Sequence, residues 1–283
     1  MRPFLPVATP IIPFVPTVIF VPGTRPGKPL TADRQDTIMT SAFGGAFAGS
    51  DYARRRLNYP AKFWPLTGTS SPTVGASIAQ GVPMLDDAIK STAGEMVLVG
   101  FSQGCLVIEQ ELRNLETDPD SPPPADMSVV LVNDPIRPGG MLSTFFAPGR
   151  TIPVLDYTLI EPADTQYDVT VIKREYDGAA DWPENRRPII ATMNAIAGFL
   201  MMHCGLPRSA KRPHPYLPNS STPVLNMTTC PRGGTVTTYL YPTWPLPLTR
   251  FLPTCARDFA SGIIRPRVDA GYNRAAQKYS WCG

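Results

Sequence analysis

Residues 97–104, Val-Leu-Val-Gly-Phe-Ser-Gln-Gly, constrain this chain more than any other stretch. A short apolar, β-branched run reads as a strand buried on both faces, which places it inside a covered parallel sheet. It runs straight into Gly-x-Ser-x-Gly, and a helical pattern follows from Gln103 to Leu115. A turn that tight puts Ser102 in a strained conformation with its hydroxyl above the sheet, where side chains at positions 100 and 104 would collide with neighbouring elements. The amide of Gln103 then points from a helix N-terminus at any negative charge that develops on a reacting carbonyl.

The flanking sequence supplies the rest of such a sheet. Thr17 to Val21, Glu95 to Gly100 and Met127 to Val132 are β-branched or apolar runs, and Tyr167 to Tyr176 is a more alternating fourth. Between them, Ile78, Val82, Leu85 and Ile89 lie on one face of a helix ending at Lys90, in which Pro83 predicts a kink or a restart. A further helix is expected over about 187–202. Strands alternating with helices make the fold a doubly wound α/β core over residues 17–204. Residues 1–16 read as an extended lead-in: prolines at 6, 10, 13 and 16 break the most apolar stretch, so it cannot form a membrane-spanning helix. Residues 205–283 are expected to form a loop-rich, proline-rich C-terminal appendage or lid of the same domain, with a strand over Thr235 to Tyr241.

A serine hydroxyl needs a histidine base and an acid to orient that base, in the chain order Ser, Asp/Glu, His for this kind of sheet. Only His203 and His214 exist, and both follow Ser102. His203 ends a packed helix, whereas His214 lies among prolines, which favours His203. Three aspartates compete for the acid. Asp181 holds the Gly-x-x-Asp position after Gly178, Asp177 reads as an aspartate closing a turn, and Asp134 follows the strand after the elbow helix.

These residues carry a resemblance. The chain is similar to the PE-PPE domain family, serine α/β hydrolases of mycobacteria related to cutinases, through Phe20-Val-Pro-Gly-Thr24, Gly100-Phe-Ser-Gln-Gly104, Asn133-Asp-Pro-Ile-Arg-Pro-Gly-Gly140, Tyr176-Asp-Gly-Ala-Ala-Asp-Trp-Pro183, Asn194 through His203 and Val268-Asp-Ala-Gly-Tyr272. The resemblance implies an α/β-hydrolase fold with Ser102 as nucleophile, Asp181 as acid, His203 as base and Thr24 beside the oxyanion hole with Gln103. It differs from the family at Asp134, where Asn is usual, and after His203, where Cys204 and a basic, proline-rich loop replace Gly-x-Tyr. With no PE or PPE leader ahead of the domain, it points to stand-alone envelope members, some of them acyltransferases of trehalose glycolipid assembly. The function implied is serine-dependent acyl transfer or hydrolysis on lipid or glycolipid esters, trehalose-based cell-envelope lipids among them, through an acyl-enzyme. The alternative is a catalytically silent hydrolase fold serving as an envelope binding or scaffolding module.

Composition sets the remaining bounds. Lys plus Arg number 26 against 23 acidic residues, and apart from Arg54 to Arg56 and the stretch 208–212 the basic residues are scattered, so nucleic acid is not an expected partner. No cofactor is expected. The five cysteines show neither Cys-x-x-Cys spacing nor paired histidines, so no metal is expected either. Export to the envelope or medium, with peripheral membrane association, is the expected location, its signal lying outside this sequence or already removed. Oxidation there would pair Cys230 with Cys255 and Cys204 with Cys282, one of three pairings open to four cysteines, and leave Cys105 as a buried thiol. Phe145 and Phe146, behind the Gly139-Gly140 turn, are candidates for a lipid-facing flap. Tyr59, Phe63 and Trp64 fit either core or acyl-chain contact, and Arg208, Lys211 and Arg212 fit either anionic head groups or a solvated loop.

Overall fold

A computed structural model of the chain describes residues 15–25, 31–185, 187–204 and 224–274. Strands β1 (Thr17–Val21), β2 (Ala53–Arg56), β3 (Met96–Phe101), β4 (Met127–Val132), β7 (Asp168–Arg174), β8 (Val224–Thr229) and β9 (Thr235–Tyr241) form one sheet in the order β2-β1-β3-β4-β7-β9-β8. All neighbours are parallel except β8, which returns antiparallel along β9. A separate small ribbon joins β5 (Thr151–Ile152) to β6 (Tyr157–Thr158). The chain leaves β1 for β2 on one side through α1 (Ala32–Ser41), then crosses back to β3 on the other side. The strand order therefore reverses beside β1, and the crevice at the carboxyl ends of β1 and β3 is where such sheets place ligands.

The core explains why the central strands are almost wholly apolar. On one face Ile19, Leu98, Val129, Leu131 and Val171 meet Ile78, Leu85 and Ile89 of α2 (Val74–Lys90) and Ile108 and Leu112 of α3 (Gln103–Leu115). On the other, Val18, Val99, Val130, Val132 and Ile172 pack with Phe43 and Phe47. Each fully buried Leu or Ile contributes about 1.5–3 kcal/mol, so a few of them outweigh one strained turn residue. Pro83 does not restart its helix. Its side chain is exposed, and the buried residues on either side keep α2 on the sheet.

The C-terminal third departs from the expected appendage. Thr235 to Tyr241 is indeed a strand, but β9 lies beside β7 in the main sheet, with Val236 fully buried. The described part of this region is thus structural framework; its threonines and tyrosines suit a half-buried strand near an edge, a pattern less legible than an all-apolar run. Helix α6 (Thr254–Asp269) follows, and Val268 and Tyr272 pack with Tyr176, Ala191, Met202 and Leu246. The expected lid over 205–223, with Arg208, Lys211 and Arg212, lies outside the described residues.

Cys105 is as expected, but the pairing of the other cysteines differs. Cys105 is a buried free thiol and Cys255 an exposed one at the start of α6; Cys204 keeps its thiol, and Cys230 is disulfide-bonded, while Cys282 lies outside the described residues. Neither the Cys230–Cys255 nor the Cys204–Cys282 pairing is formed. Cys230 is buried at the turn into β9, whereas Cys255 faces solvent. Among the described residues, no helix is long and apolar enough to cross a membrane.

Candidate active site

Ser102 sits between β3 and α3 with φ 52° and ψ −118°, in the region of positive φ that non-glycine residues avoid. Such a residue costs about 1–3 kcal/mol and persists because its surroundings over-determine it. Here Ser102 N donates to Val132 O at 3.0 Å, and Cys105 N donates to Ser102 O at 2.9 Å. The glycines are required by close approach: a Cβ on Gly104 would lie 2.0 Å from Val21 O, and one on Gly23 would lie 2.8 Å from Phe101 O and 3.1 Å from Ser102 Cβ. The loop after β1 is therefore pressed against the elbow, and Thr24 is the next residue along it. Gln103 occupies the first position of α3, where the amide has no intrahelical acceptor. Its side chain donates to Lys62 O at 2.8 Å, and Tyr59 Oη donates to Pro22 O at 2.6 Å. Tyr59 is thus a buried brace for this loop, Phe63 is half-buried, and Trp64 is exposed.

Helix α5 (Ile189–Gly198) passes into a single π-helical turn, Phe199–His203, closed by Cys204 N donating to Phe199 O at 2.8 Å. This turn carries His203 to the elbow. Its Nε2 lies 2.7 Å from Ser102 Oγ, and its Nδ1 lies 3.0 and 3.2 Å from the two carboxylate oxygens of Asp177. Serine, imidazole and carboxylate form one hydrogen-bonded chain. His214, the rival base, lies outside the described residues.

The acid is the main correction. Asp181, favoured by spacing, does not meet His203: it is fully buried, accepts from Tyr176 N at 2.7 Å and is clasped by the Arg274 guanidinium, with Nη2 3.0 Å from Oδ2. The backbone bends sharply after β7, with Tyr176 at φ 63°. Asp181 N then donates to Asp177 O at 2.7 Å, closing a turn that leaves the two carboxylates with different partners. Asp177, read as a turn residue, is the one that faces the imidazole. It also accepts from Ala179 N at 2.9 Å and from Asn133 Nδ2 at 2.8 Å. Sequence reasoning missed Asn133 as a partner, although it lies in the Asn-Asp-Pro segment and, at φ 52°, just past the end of β4. Its Oδ1 accepts from Arg174 N at 3.2 Å, so it bridges two strand ends.

Asp134 faces the buried Glu109 and Arg137, with Ile136 N donating to its Oδ1 at 3.0 Å and Arg137 Nε donating to Glu109 at 2.7 Å. Burial first, then the Glu109 carboxylate, push the Asp134 carboxyl from its ordinary 3.8 up to about 8. Because this pKa is raised, the folded chain holds a proton that the unfolded chain has released between pH 4 and 8, so stability declines as pH rises through that window. Asp134→Asn, whose amide mimics the protonated form, is expected to gain thermal stability relative to the parent as pH goes from 5 to 8.5. Thermal melts at the two pH values check it, and a gap that does not widen with pH refutes it.

Phe145 and Phe146 end the short helix α4 (Met141–Phe145) and are 40% and 36% exposed. Phe145 packs edge-on against Trp182 at 5.3 Å, and Met141 N and Trp182 N lace this segment to the acid loop through Ala179 O and Gly139 O.

A parallel sheet whose order reverses at β1, a strained serine elbow after β3 and a histidine brought to it from beyond β7 define an α/β hydrolase. Within that class, residues 50–273 match the model of the PE-PPE domain, and the chain belongs to that family. It is 35% identical to the SL1278 acyltransferase Chp1 of Mycobacterium tuberculosis, over 90% of this chain and 64% of that protein. It is 30% identical to the diacyltrehalose acyltransferase Chp2 of the same organism, over 92% of this chain and 81% of that one. The esterase PE16, also from M. tuberculosis, is 34% identical over 79% of this chain and 43% of its own length. The chain thus spans under two thirds of the length of Chp1 and PE16. Among solved structures, a cutinase-like protein from Cryptococcus sp. aligns with a TM-score of 0.36 at 17% identity, covering 58% of this chain and 78% of that one.

Proposed function

We propose that this chain catalyses acyl transfer or hydrolysis on lipid or glycolipid esters, through an acyl-enzyme on Ser102, in or near the cell envelope. The observation that carries this reading is the continuous chain from Ser102 Oγ to His203 Nε2 and from His203 Nδ1 to Asp177. Ser102 Oγ attacks the ester carbonyl while His203 Nε2 takes its proton, and Asp177 faces the imidazolium that forms. The oxyanion is met by the Gln103 amide at the helix start and by the loop of Gly23 and Thr24. The tetrahedral intermediate collapses when His203 returns the proton to the departing alcohol, leaving an ester on Ser102. A second alcohol or water then repeats the cycle in reverse. No cofactor is required by this sequence of steps.

Two relatives carry acyltransferase names, one of them for diacyltrehalose, and this supports a glycolipid substrate and transfer over hydrolysis in the cell. The exposed Phe145 and Phe146 offer an apolar surface beside the acid loop for an acyl chain. Hydrolysis and transfer share the same residues and differ in which hydroxyl is better placed at His203 when the acyl-enzyme resolves. The test offers purified protein an acylated trehalose donor, with and without a free glycolipid acceptor, and follows products by mass. The expected result is slow release of free acid without acceptor and a new ester with it. If acceptor never diverts acyl groups, the protein is a plain lipid esterase; if no ester turns over and a fluorophosphonate leaves Ser102 unlabelled, the fold is a silent scaffold.

A further inference from the structure

The imidazole of His203 stacks with two phenylalanine rings. Phe101, the residue before Ser102, stacks on it with centroids 5.4 Å apart and planes 20° from parallel; Phe199, the first residue of the π-helical turn, stacks on it at 5.5 Å and 12°. Both nitrogens are engaged at the ring edge, Nε2 by Ser102 and Nδ1 by Asp177. We propose that Phe101 and Phe199 are positioning residues that clamp the plane of the His203 ring and stabilise its protonated form during turnover. The inference rests on the reading of His203 as the base of an acyl-transfer enzyme.

Three features of the geometry lead to it. Rotating the imidazole out of its plane would break both stacks together with its edge hydrogen bonds, so the two aromatic contacts oppose the same motion that would release Ser102 and Asp177. Aromatic faces carry the negative part of the ring quadrupole, and a cationic ring stacked on them is favoured over a neutral one. His203 becomes a cation each time it accepts the Ser102 proton, so the stacking strengthens as the reaction proceeds, which is the condition for raising kcat. The elements that bring the two rings together are independent. Phe101 ends β3, whereas Phe199 arrives with the helix whose approach requires glycine at both contacts: a Cβ on Gly198 would lie 1.8 Å from Tyr176 O, and one on Gly178 would lie 2.2 Å from Ala195 O and 2.9 Å from the Phe199 Cβ. The π-turn inserts an extra residue into the helical repeat and re-aims His203, a recurrent use of such turns at functional sites.

The test compares Phe101→Leu and Phe199→Leu with Phe101→Tyr and Phe199→Tyr, since leucine keeps apolar bulk and tyrosine restores an aromatic face. Each leucine variant is expected to lose about tenfold in kcat on a short nitrophenyl ester, the scale of one partly desolvated cation–aromatic contact. KM should change less than twofold, and the tyrosine variants should stay near the parent. A second readout needs no turnover: the ring-proton resonances of His203, assigned by their loss in His203→Gln, should be ring-current shifted in the parent and move toward those of an unstacked histidine in each leucine variant. If those resonances are unshifted in the parent, or if leucine variants turn over within twofold of it, the clamp is refuted. If a leucine variant fails to fold, its partner and the parent spectrum still decide. Shifted resonances in a parent protein that neither turns over esters nor labels would overturn the enzymatic reading instead and leave the stacked ring in place.

Discussion

Ser102→Ala is expected to abolish ester turnover, by about a million-fold in kcat, and to remove fluorophosphonate labelling while the protein remains folded. The size follows from the proposed role: Ser102 Oγ is the hydroxyl 2.7 Å from His203 Nε2, so without it the acyl-enzyme has nowhere to form. The fold survives because Ser102 Oγ bonds to His203 Nε2 rather than to the backbone, while the strained backbone is held through the main-chain bonds to Val132 and Cys105. Alanine keeps those bonds and the same Cβ beside Gly23. Kinetics, labelling and a thermal melt on one preparation check all three parts. A folded Ser102→Ala protein with near-parental turnover removes Ser102 from the mechanism.

Much of the scaffold around that serine was legible because burial on both sheet faces leaves no choice of residue. Thr17 to Val21, Glu95 to Gly100 and Met127 to Val132 are read as strands at or within one residue of their observed bounds, and the elbow follows from glycines that tolerate no Cβ. Val224 to Thr229 was not legible as a strand, and Thr235 to Tyr241, read as a strand, was not placed in the main sheet. Val224 to Thr229 and Thr235 to Tyr241 are mixed polar and apolar, since β8 lies at an edge and β9 has only half-buried positions on much of one face. The hydrogen-bonded pair Ser102 and His203 could be singled out because the chain offers two histidines and one elbow. The acid could not, because Asp177 and Asp181 lie in one tight turn, and residue spacing does not say which carboxylate a turn aims inward. What separates them is long-range: Arg274, 93 residues beyond Asp181, claims that carboxylate, and Asn133, 44 residues before Asp177, steadies the other. Neither partner has a local signature.

That separation makes the acid a sharp test. Asp177 accepts three donors on two oxygens: His203 Nδ1, Ala179 N and Asn133 Nδ2. In Asp177→Asn only one oxygen remains, so at least one donor faces an amide NH2, and the imidazole loses both its charge partner and the acceptor that fixes its tautomer. A fall of about 10⁴-fold in kcat is expected, the magnitude seen when a triad aspartate becomes asparagine. Asp181→Asn should behave in the opposite way. Its oxygen can still accept from Tyr176 N, and the Ser102–His203–Asp177 chain is untouched, so kcat should stay within a few-fold. Arg274 keeps the more distant Glu175, at 3.9 Å, but breaking a buried pair costs up to about 3–5 kcal/mol, less here because Arg274 is partly exposed and retains that second carboxylate. The melting temperature should therefore drop by several degrees in Asp181→Asn and far less in Asp177→Asn. Paired kinetics and melts on the two variants distinguish an orienting carboxylate from a structural one. Were Asp181→Asn the inactive protein and Asp177→Asn the active one, the spacing of Gly178 and Asp181 would have been the better guide, and the hydrogen bond between His203 and Asp177 would not be the one that catalysis uses.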